Sequence, residues 1–257
     1  MQKIPFLLCA AASLWLIPAA SAVDHNNIDS TRPLDFDDAE SIAFREKAVE
    51  FGALLNNPKK GRVGFGGAEF LYGFAPNSHL SLDFDPAYAS QQGSKRRLDA
   101  GDIGVGVFHN FNRELPGKAA FSVRADAYLP TGRGSSGVDV RLRGIASRRW
   151  HQYDRLHLNV DLGVNSGAAS GERRLLPGVI LGYSKPLGFP TRFDRTLVAQ
   201  VGYRASQDRG QSGLLNVGIG LRQQVGVRSV FDIGVKNDLT GGDERALTLV
   251  AGYSRQF

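Results

Sequence analysis

The sequence predicts an all-β protein, a transmembrane antiparallel up-and-down β-barrel of about twelve strands. Three observations favour this fold: apolar and polar residues alternate in most segments, the connections alternate between shorter and longer, and the last residue is aromatic. Ten or fourteen strands are the open alternatives, because the early strands are poorly phased. A soluble β-sandwich also alternates, but it would place its aromatic residues in the middle of its strands.

The N-terminus is predicted to be a signal peptide over residues 1–22. It has a short basic start, an apolar run from Ile4 to Ile17 and a small-residue cleavage site at Ala20-Ser21-Ala22. Cys9 is the only cysteine and lies inside this segment, so the mature chain is predicted to lack disulfides and thiolate metal sites. An exported, basic chain with formal net charge +6 favours an anionic partner in a bacterial envelope, and no nucleic acid.

Residues 23–45 are polar and are predicted to form a mobile periplasmic lead-in. The barrel is predicted over residues 46–257, with a first strand at 46–55, although residues from Ser41 onward could also begin a helix. The other strands are predicted at 62–74, 79–87, 102–112, 119–129, 137–149, 156–164, 176–185, 196–206, 214–225, 230–239 and 245–257. The stretch 156–164 is the clearest, because every second residue is aliphatic.

Aromatic residues are predicted to form a girdle at the periplasmic end of the barrel. They are Phe70, Tyr72, Phe74, Trp150, Tyr153, Tyr183, Phe189, Phe193, Phe231, Tyr253 and Phe257. The terminal strand, which ends on Phe257, is the expected signal for the barrel assembly machinery. The opposite end would then carry the longer connections, as outer-membrane barrels do.

The residues that face the lumen by parity are unusually charged, and they are our candidate pore lining. They are Arg124, Asp126, Asp139, Arg141, Arg143, Asp161, Arg204, Arg222, Asp232, Lys236 and Asp238. Arg141 and Arg143 are predicted to select anionic solutes, whereas Arg124 and Asp126 are predicted to be structural. The alternative is a structural role, in which a ladder of Arg–Asp pairs fills a narrow barrel.

Basic residues in the outer loops are predicted either to form a solvated rim or to contact lipopolysaccharide phosphates. They are Lys59, Lys60, Lys95, Arg96, Arg97, Arg133, Arg173 and Arg174. No arrangement of residues indicates a catalytic, metal or cofactor site. The only His-x-Ser pair, His79 and Ser81, is predicted to point into the lumen at the periplasmic end, where a lipid-hydrolysing site is not expected.

Several short motifs resemble the outer-membrane transporter family named after the meta-pathway of phenol degradation. They are Arg32-Pro-Leu-Asp-Phe-Asp-Asp-Ala39, Lys47-Ala-Val-Glu50, Phe70-Leu-Tyr-Gly-Phe-Ala-Pro-Asn-Ser78, Gly101-Asp-Ile-Gly104 and Leu129-Pro-Thr-Gly132. The resemblance implies a barrel that moves small, often aromatic or hydrophobic, compounds, and it supplies no catalytic residues. Arg255 departs from the pattern, because barrel end-signals usually have an apolar or aromatic residue there.

The sequence therefore favours a narrow, non-enzymatic outer-membrane channel for small anionic or aromatic solutes. The alternative is a closed structural or adhesive barrel whose basic loops bind an envelope polymer or a partner. A lipid-modifying enzyme is a third and weaker hypothesis. The expected partners are outer-membrane lipid, lipopolysaccharide, the barrel assembly machinery and the solute.

Overall fold

The computed structural model describes residues 27–28, 32–58, 62–64, 67–89, 97–132, 135–188, 191, 193–242 and 245–257. The predicted signal peptide, residues 1–22, lies outside these residues. These described residues contain fifteen strands. They are β1 (Lys47–Pro58), β2 (Arg62–Gly64), β3 (Ala68–Ala75), β4 (Ser78–Phe84), β5 (Ala87–Ala89), β6 (Arg97–Asp99), β7 (Ile103–Asn110), β8 (Ala120–Leu129), β9 (Asp139–Arg149), β10 (Arg155–Val164), β11 (Leu175–Leu187), β12 (Arg195–Arg204), β13 (Leu214–Gly226), β14 (Ser229–Asp238) and β15 (Ala246–Gln256).

Twelve of the strands form one closed antiparallel barrel, which confirms the predicted fold class and strand number. Each strand pairs with its neighbours along the chain, and β1 closes the barrel by pairing with β15 from Ala48↔Gln256 to Pro58↔Ala246. On its other side β1 pairs with β3. Closure leaves the barrel without a free sheet edge. A membrane-spanning sheet requires this, because lipid cannot satisfy the backbone groups of an edge strand.

The remaining strands β2, β5 and β6 form a small three-stranded sheet beside the barrel. The prediction of one continuous strand over 62–74 is therefore wrong, and so is the extension of the next strand to Ala87. β2 ends at Gly64 and β3 begins at Ala68 after Gly67, and glycine weakens a strand. Pro86 separates β4 from β5, because proline cannot donate a ladder hydrogen bond.

The two faces of the barrel wall differ in the way that the alternation predicts. Side chains on the outward face are apolar and exposed, as in β4, where Leu80, Leu82 and Phe84 are 36–41% exposed. The lumen face of the same strand has His79 and Ser81, both buried. An apolar outward band on a closed barrel is the surface that contacts lipid hydrocarbon.

The hydrophobic core lies inside the barrel and is built around the chain segment that precedes β1. Residues 32–42, which we call the plug segment, run through the lumen. Three core clusters each join plug or preceding residues to the wall. The largest consists of Ile28, Leu34 and Phe36 against Ile180 and Val198.

The predicted mobile periplasmic lead-in over residues 23–45 is therefore wrong for residues 32–42. Leu34 and Phe36 are 0% exposed, and Asp37 and Asp38 are at most 2% exposed. The polar composition of this segment does not indicate solvent exposure, because a barrel lumen is itself polar and offers partners to polar groups. Residues 23–26 and 29–31 lie outside the described residues.

Candidate functional site: a plugged lumen

Side chains of the barrel wall form hydrogen bonds with the plug backbone, in place of the bonds that a paired strand would supply. The Asn159 side chain accepts a hydrogen bond from the Asp37 N–H at 2.7 Å and donates one to the Asp37 carbonyl at 2.9 Å. The Ala39 N–H donates to Ser147 Oγ at 2.9 Å, and its carbonyl accepts from Ser122 Oγ at 2.8 Å. The buried backbone groups of Asp37 and Ala39 are thus satisfied without a paired strand.

Arg143 is the central ionic contact between the wall and the plug. Its guanidinium donates to Asp37 Oδ2 at 2.7 Å, and it forms a second, two-pronged contact with Asp161 at 2.6 and 2.8 Å. It also donates to the Asp35 carbonyl at 2.9 Å. The side chain of Arg143 is 3% exposed, so these partners, rather than water, compensate its charge.

Three further wall groups hold plug charges along the lumen. Arg155 pairs with Glu40 at 2.6 Å and lies 3.7 Å from Asp38. Lys236 pairs with Asp35, whose other carboxylate oxygen accepts a hydrogen bond from Gln200 at 2.9 Å. The sign is reversed at the start of the segment, where Arg32 pairs with the wall residue Glu50 at 2.7 Å.

The wall makes room for the plug with glycines on its lumen face. A Cβ atom added to Gly182 would lie 2.5 Å from the Phe36 ring, and one added to Gly218 would lie 2.8 Å from Leu34. Gly220 is equally close to Pro33, and Gly252 to Arg32. Each of these bulky plug side chains therefore fits against a position where any larger wall residue would collide with it.

Two buried wall histidines support the plug. His157 has a hydroxyl partner on each ring nitrogen, Ser147 at Nδ1 and Ser184 at Nε2, both at 2.9 Å. Since Ser147 Oγ accepts the Ala39 N–H, this chain of hydrogen bonds reaches the plug. His79 bonds to Ser41 through Nδ1 at 3.1 Å and stacks on Phe108 with a centroid distance of 4.6 Å.

The positive charges of the wall shift the pKa of the plug residue Asp37. Burial alone would raise it, but the positive charges of Arg143, Arg124 and Arg141 lower the pKa from 3.8 to about 2. A carboxyl whose pKa is lower in the docked state stabilises docking above its free pKa and loses that contribution as the pH falls.

We therefore expect the plug to dock less firmly as the pH falls from 4 to 2. The lost contribution of Asp37 is about 2 kcal/mol. The measurement is the open probability of the refolded protein in a planar bilayer at several pH values. The Asp37→Asn variant, which has no carboxyl there, should lose this part of the acid response, and an unchanged response in that variant would contradict the assignment.

Two cavities enter the barrel from opposite ends and meet the plug. The larger has a volume of about 960 Å³ and is lined by residues near the long-loop end, among them Tyr128, Arg141, Arg204 and Asp238. The smaller has a volume of about 620 Å³ and lies at the end that holds the short turns, beside Asn77 and Asn110. Asp35 lines the larger cavity, and Glu40 and Ser41 line the smaller.

The residues predicted to line a pore are found on the lumen face, where most of them pair with another charge. Arg124 bonds to Glu69 at 2.9 Å and to Asp126 at 2.8 Å, and Arg141 bonds to the other oxygen of Asp126. Arg222 lies 3.1 Å from Asp232, and both are almost completely buried. Asp139, Asp161, Arg204, Lys236 and Asp238 line the larger cavity.

The predicted outer-loop cations differ in their surroundings where they are described. Arg173 donates to the carbonyls of Ser206, Asp208 and Arg209, so it fastens one loop to its neighbour. Arg174 is exposed. The predictions for Lys59, Lys60, Lys95, Arg96 and Arg133 lie outside the described residues, and so does the side chain of Arg97.

Other kinds of site gain no support from the described residues. They contain no group of three or more His, Cys, Asp or Glu residues that could hold a metal ion. Within the same residues, no helix is long and apolar enough to cross a membrane. Ser81 contacts Asp83 and Arg124, each at 3.4 Å, while the His79 ring is engaged by Ser41 and Phe108.

The sequence did not identify the plug, which is the main feature of this site. A signal was present: the acidic residues Asp35, Asp37, Asp38 and Glu40 are opposite in charge to the arginines expected on the lumen face. Leu34 and Phe36 are also out of place in a solvated leader. A second signal is the glycines of the wall, six of which lie against plug residues: Gly52, Gly182, Gly218, Gly220, Gly234 and Gly252.

The fold and its occupied lumen define a class of structure, the closed outer-membrane-type barrel of twelve strands. Solved structures of outer-membrane channels and porins resemble it in fold. The outer membrane channel COG4313 from Pseudomonas putida F1 superposes with a TM-score of 0.67 over 87% of this chain and 100% of that chain, at 13% sequence identity.

Two porins are also similar in fold. The NanC porin has a TM-score of 0.60 at 9% identity, covering 80% of this chain and 98% of its own. The KdgM porin, solved in complex with disordered oligogalacturonate, has a TM-score of 0.55 at 12% identity, covering 82% and 99%. No protein-family model and no protein with curated annotation matches the sequence. At these identities the likeness shows the fold.

Proposed function

We propose that the protein is an outer-membrane channel for small solutes that is closed at mid-height by its plug segment. The observation that carries this proposal is the pair of cavities, one entering from each end, with the plug between them. A barrel with only a structural role would need neither cavity. The fold neighbours, which are channels and porins by name, support the same function.

Passage of a solute in this proposal requires the plug to move. The plug is held by apolar packing, by side-chain hydrogen bonds and by separate ionic contacts at Arg143, Arg155 and Lys236, rather than by a continuous strand. Ionic contacts can be exchanged for water one at a time, which makes a partial displacement less costly than unfolding a strand. The outward apolar surface and the end-strand Phe257 support a location in the outer membrane, reached through the predicted signal peptide.

The choice of solute depends on whether the plug is docked. The plug contributes four acidic side chains, at Asp35, Asp37, Asp38 and Glu40, and one basic side chain, Arg32. While it is docked, Asp37 neutralises Arg143, one of the two wall arginines that were predicted to select anions, and other plug acids neutralise Arg155 and Lys236. We propose that Arg143, Arg155 and Lys236 face the solute only after the plug moves, so that anion preference belongs to the open state. Small aromatic compounds, which the family resemblance implies, stay in the proposal as a substrate class.

The experiment is a planar-bilayer comparison of the full mature protein with a variant that lacks residues 23–42. We expect the deletion variant to have a severalfold higher conductance and a reversal potential shifted toward anions. A heat-modifiable, protease-resistant barrel that stays silent after the deletion would contradict the channel proposal. That result would favour the alternative, a closed structural barrel, with which the many contacts between plug and wall are also compatible.

A further inference from the structure

Arg255 points out of the barrel at the membrane-facing seam where the chain closes on itself. It lies on β15, whose lumen-facing residues Ser254 and Gln256 are buried, while Arg255 and Phe257 are exposed. Its guanidinium is 5.6 Å from the Phe257 ring centroid. This is the residue that departs from the usual end-strand pattern, and neither the plug nor the cavities use it.

Two more cations accompany Arg255 at the same end of the seam. The Phe257 N–H donates to the Lys47 carbonyl, so Lys47 on β1 is a diagonal neighbour of Arg255, at a typical distance of about 7–8 Å. Arg228, in the turn between β13 and β14, accepts a hydrogen bond from the Gln256 N–H through its carbonyl. The side chains of Lys47 and Arg255 are exposed, and that of Arg228 is half-buried. Within the described part of the chain, none of the three forms an ion pair.

Hydroxyl groups and an aromatic row complete the surface. Ser229 is directly opposite Arg255 across the β14–β15 ladder, and its Oγ accepts a hydrogen bond from the Tyr253 hydroxyl at 3.0 Å. One step further into the membrane, Phe51, Tyr253 and Phe231 are aligned on β1, β15 and β14. Phe51 and Phe231 are 53% and 42% exposed.

The position of this surface along the membrane normal follows from the connections. The seam cations are at the end that holds Phe257 and the two-residue turns, such as Val227-Arg228 between β13 and β14. Short turns and both ends of the strand array are periplasmic in outer-membrane barrels. The surface therefore faces the inner leaflet, where phospholipids are found and lipopolysaccharide is not.

We propose that the seam formed by Lys47, Arg228 and Arg255 binds the phosphate headgroup of an anionic phospholipid. The guanidinium and ammonium groups are the donors that phosphate oxygens accept, and the Ser229 and Tyr253 hydroxyls add further hydrogen-bonding groups. The acyl chains would lie on the aromatic row of Phe51, Tyr253 and Phe231. The lipid would bridge the first and last strands at the one place where the barrel is closed by residues distant in sequence.

Native mass spectrometry of the full mature protein in detergent tests this proposal with phosphatidylglycerol and phosphatidylcholine in equal amounts. We expect the unaltered protein to retain phosphatidylglycerol in preference. The Lys47→Gln, Arg255→Gln double variant should lose about fivefold of that preference for each cation removed, since an interfacial Lys or Arg contributes about that much toward anionic lipid.

The matched control is Arg148→Gln with Lys185→Gln, which removes the same charge from outward positions at the same end of β9 and β11. Equal loss of preference in the control would overturn the proposal in favour of a diffuse basic ring. If the unaltered protein showed no preference for phosphatidylglycerol, the proposal would also be overturned. A periplasmic protein would then be the better candidate partner for this surface. The Arg255→Lys variant, which keeps the charge, should keep the preference. Conductance does not enter these readouts, so the result is independent of the channel proposal.

Discussion

Replacing Asp37 with Asn is expected to raise the open probability of the channel about thirtyfold or more at pH 7. The substitution keeps the size of the side chain and removes the charge that Arg143 and Arg124 share with the plug, at 2.7 and 3.8 Å. Breaking a buried pair by removing one partner typically costs about 3–5 kcal/mol, and Asp161 lowers this cost by remaining paired with Arg143. About 2 kcal/mol of weaker docking corresponds to a thirtyfold change in the closed-to-open ratio.

Single-channel recording measures this effect, with Asp238→Asn as the control. Asp238 is also a lumen-facing carboxylate, but its hydrogen bond goes to the Ala246 N–H of the wall rather than to the plug. We expect the control to change ion selectivity slightly and to leave the open probability as it is. If both variants opened the channel equally, the Asp37–Arg143 contact would not be what holds the plug.

Replacing Gly182 with Leu is expected to expel Phe36 from its seat and leave the channel open for most of the recording. The first added carbon would already lie 2.5 Å from the Phe36 ring, and the Leu side chain is larger. Overpacking a well-filled site costs about 1–3 kcal/mol, and here the plug can relieve it by moving away. The barrel ladder around Gly182 should persist, because the change affects only the lumen face.

Gly144→Leu is the control for a larger residue in a strand glycine position. Gly144 is exposed on the outward face of β9, and a Cβ atom there meets nothing within 4 Å. The control should conduct like the unaltered protein and stay heat-modifiable. A closed Gly182→Leu variant would show that the plug tolerates the collision, and it would count against the close fit of plug and wall.

The barrel strands could be predicted from the sequence because each strand carries its own evidence. In β10 the alternation of Leu158, Val160 and Leu162 with His157, Asn159 and Asp161 sets both the strand and its two faces. The end of the chain was equally clear, since β15 alternates up to Phe257. Parity then located Arg124, Arg143 and Arg222 on the lumen face without any knowledge of their partners.

The plug could not be predicted in the same way, because its order is supplied by residues far away in sequence. Asp37 meets Asn159 and Arg143 across more than one hundred residues, and no local period announces such a contact. Composition pointed the other way, since Asp, Asn and Pro usually mark solvated leaders. The plug partners of Arg143 could therefore be identified only from the three-dimensional structure of the closed barrel.

The side sheet was missed for a related reason. Residues 62–64 and 87–89 have the length and composition of barrel strand ends, and parity alone cannot show that they leave the wall. They pair with each other after the ends of the neighbouring barrel strands, at Ala68 for β3 and at Phe84 for β4.

A reversible tether between the plug and the wall tests most directly whether the plug must move for solutes to pass. The mature chain is predicted to have no cysteine, so Phe36→Cys with Gly182→Cys introduces one pair. A Cβ at Gly182 lies 2.6 Å from Phe36 Cγ, which puts the two Cβ atoms within about 4 Å, a distance that a disulfide spans. We predict that the oxidised protein is silent in a planar bilayer and that reduction restores conductance. Equal conductance in the oxidised and reduced protein would show that solutes pass a stationary plug, and it would contradict the account.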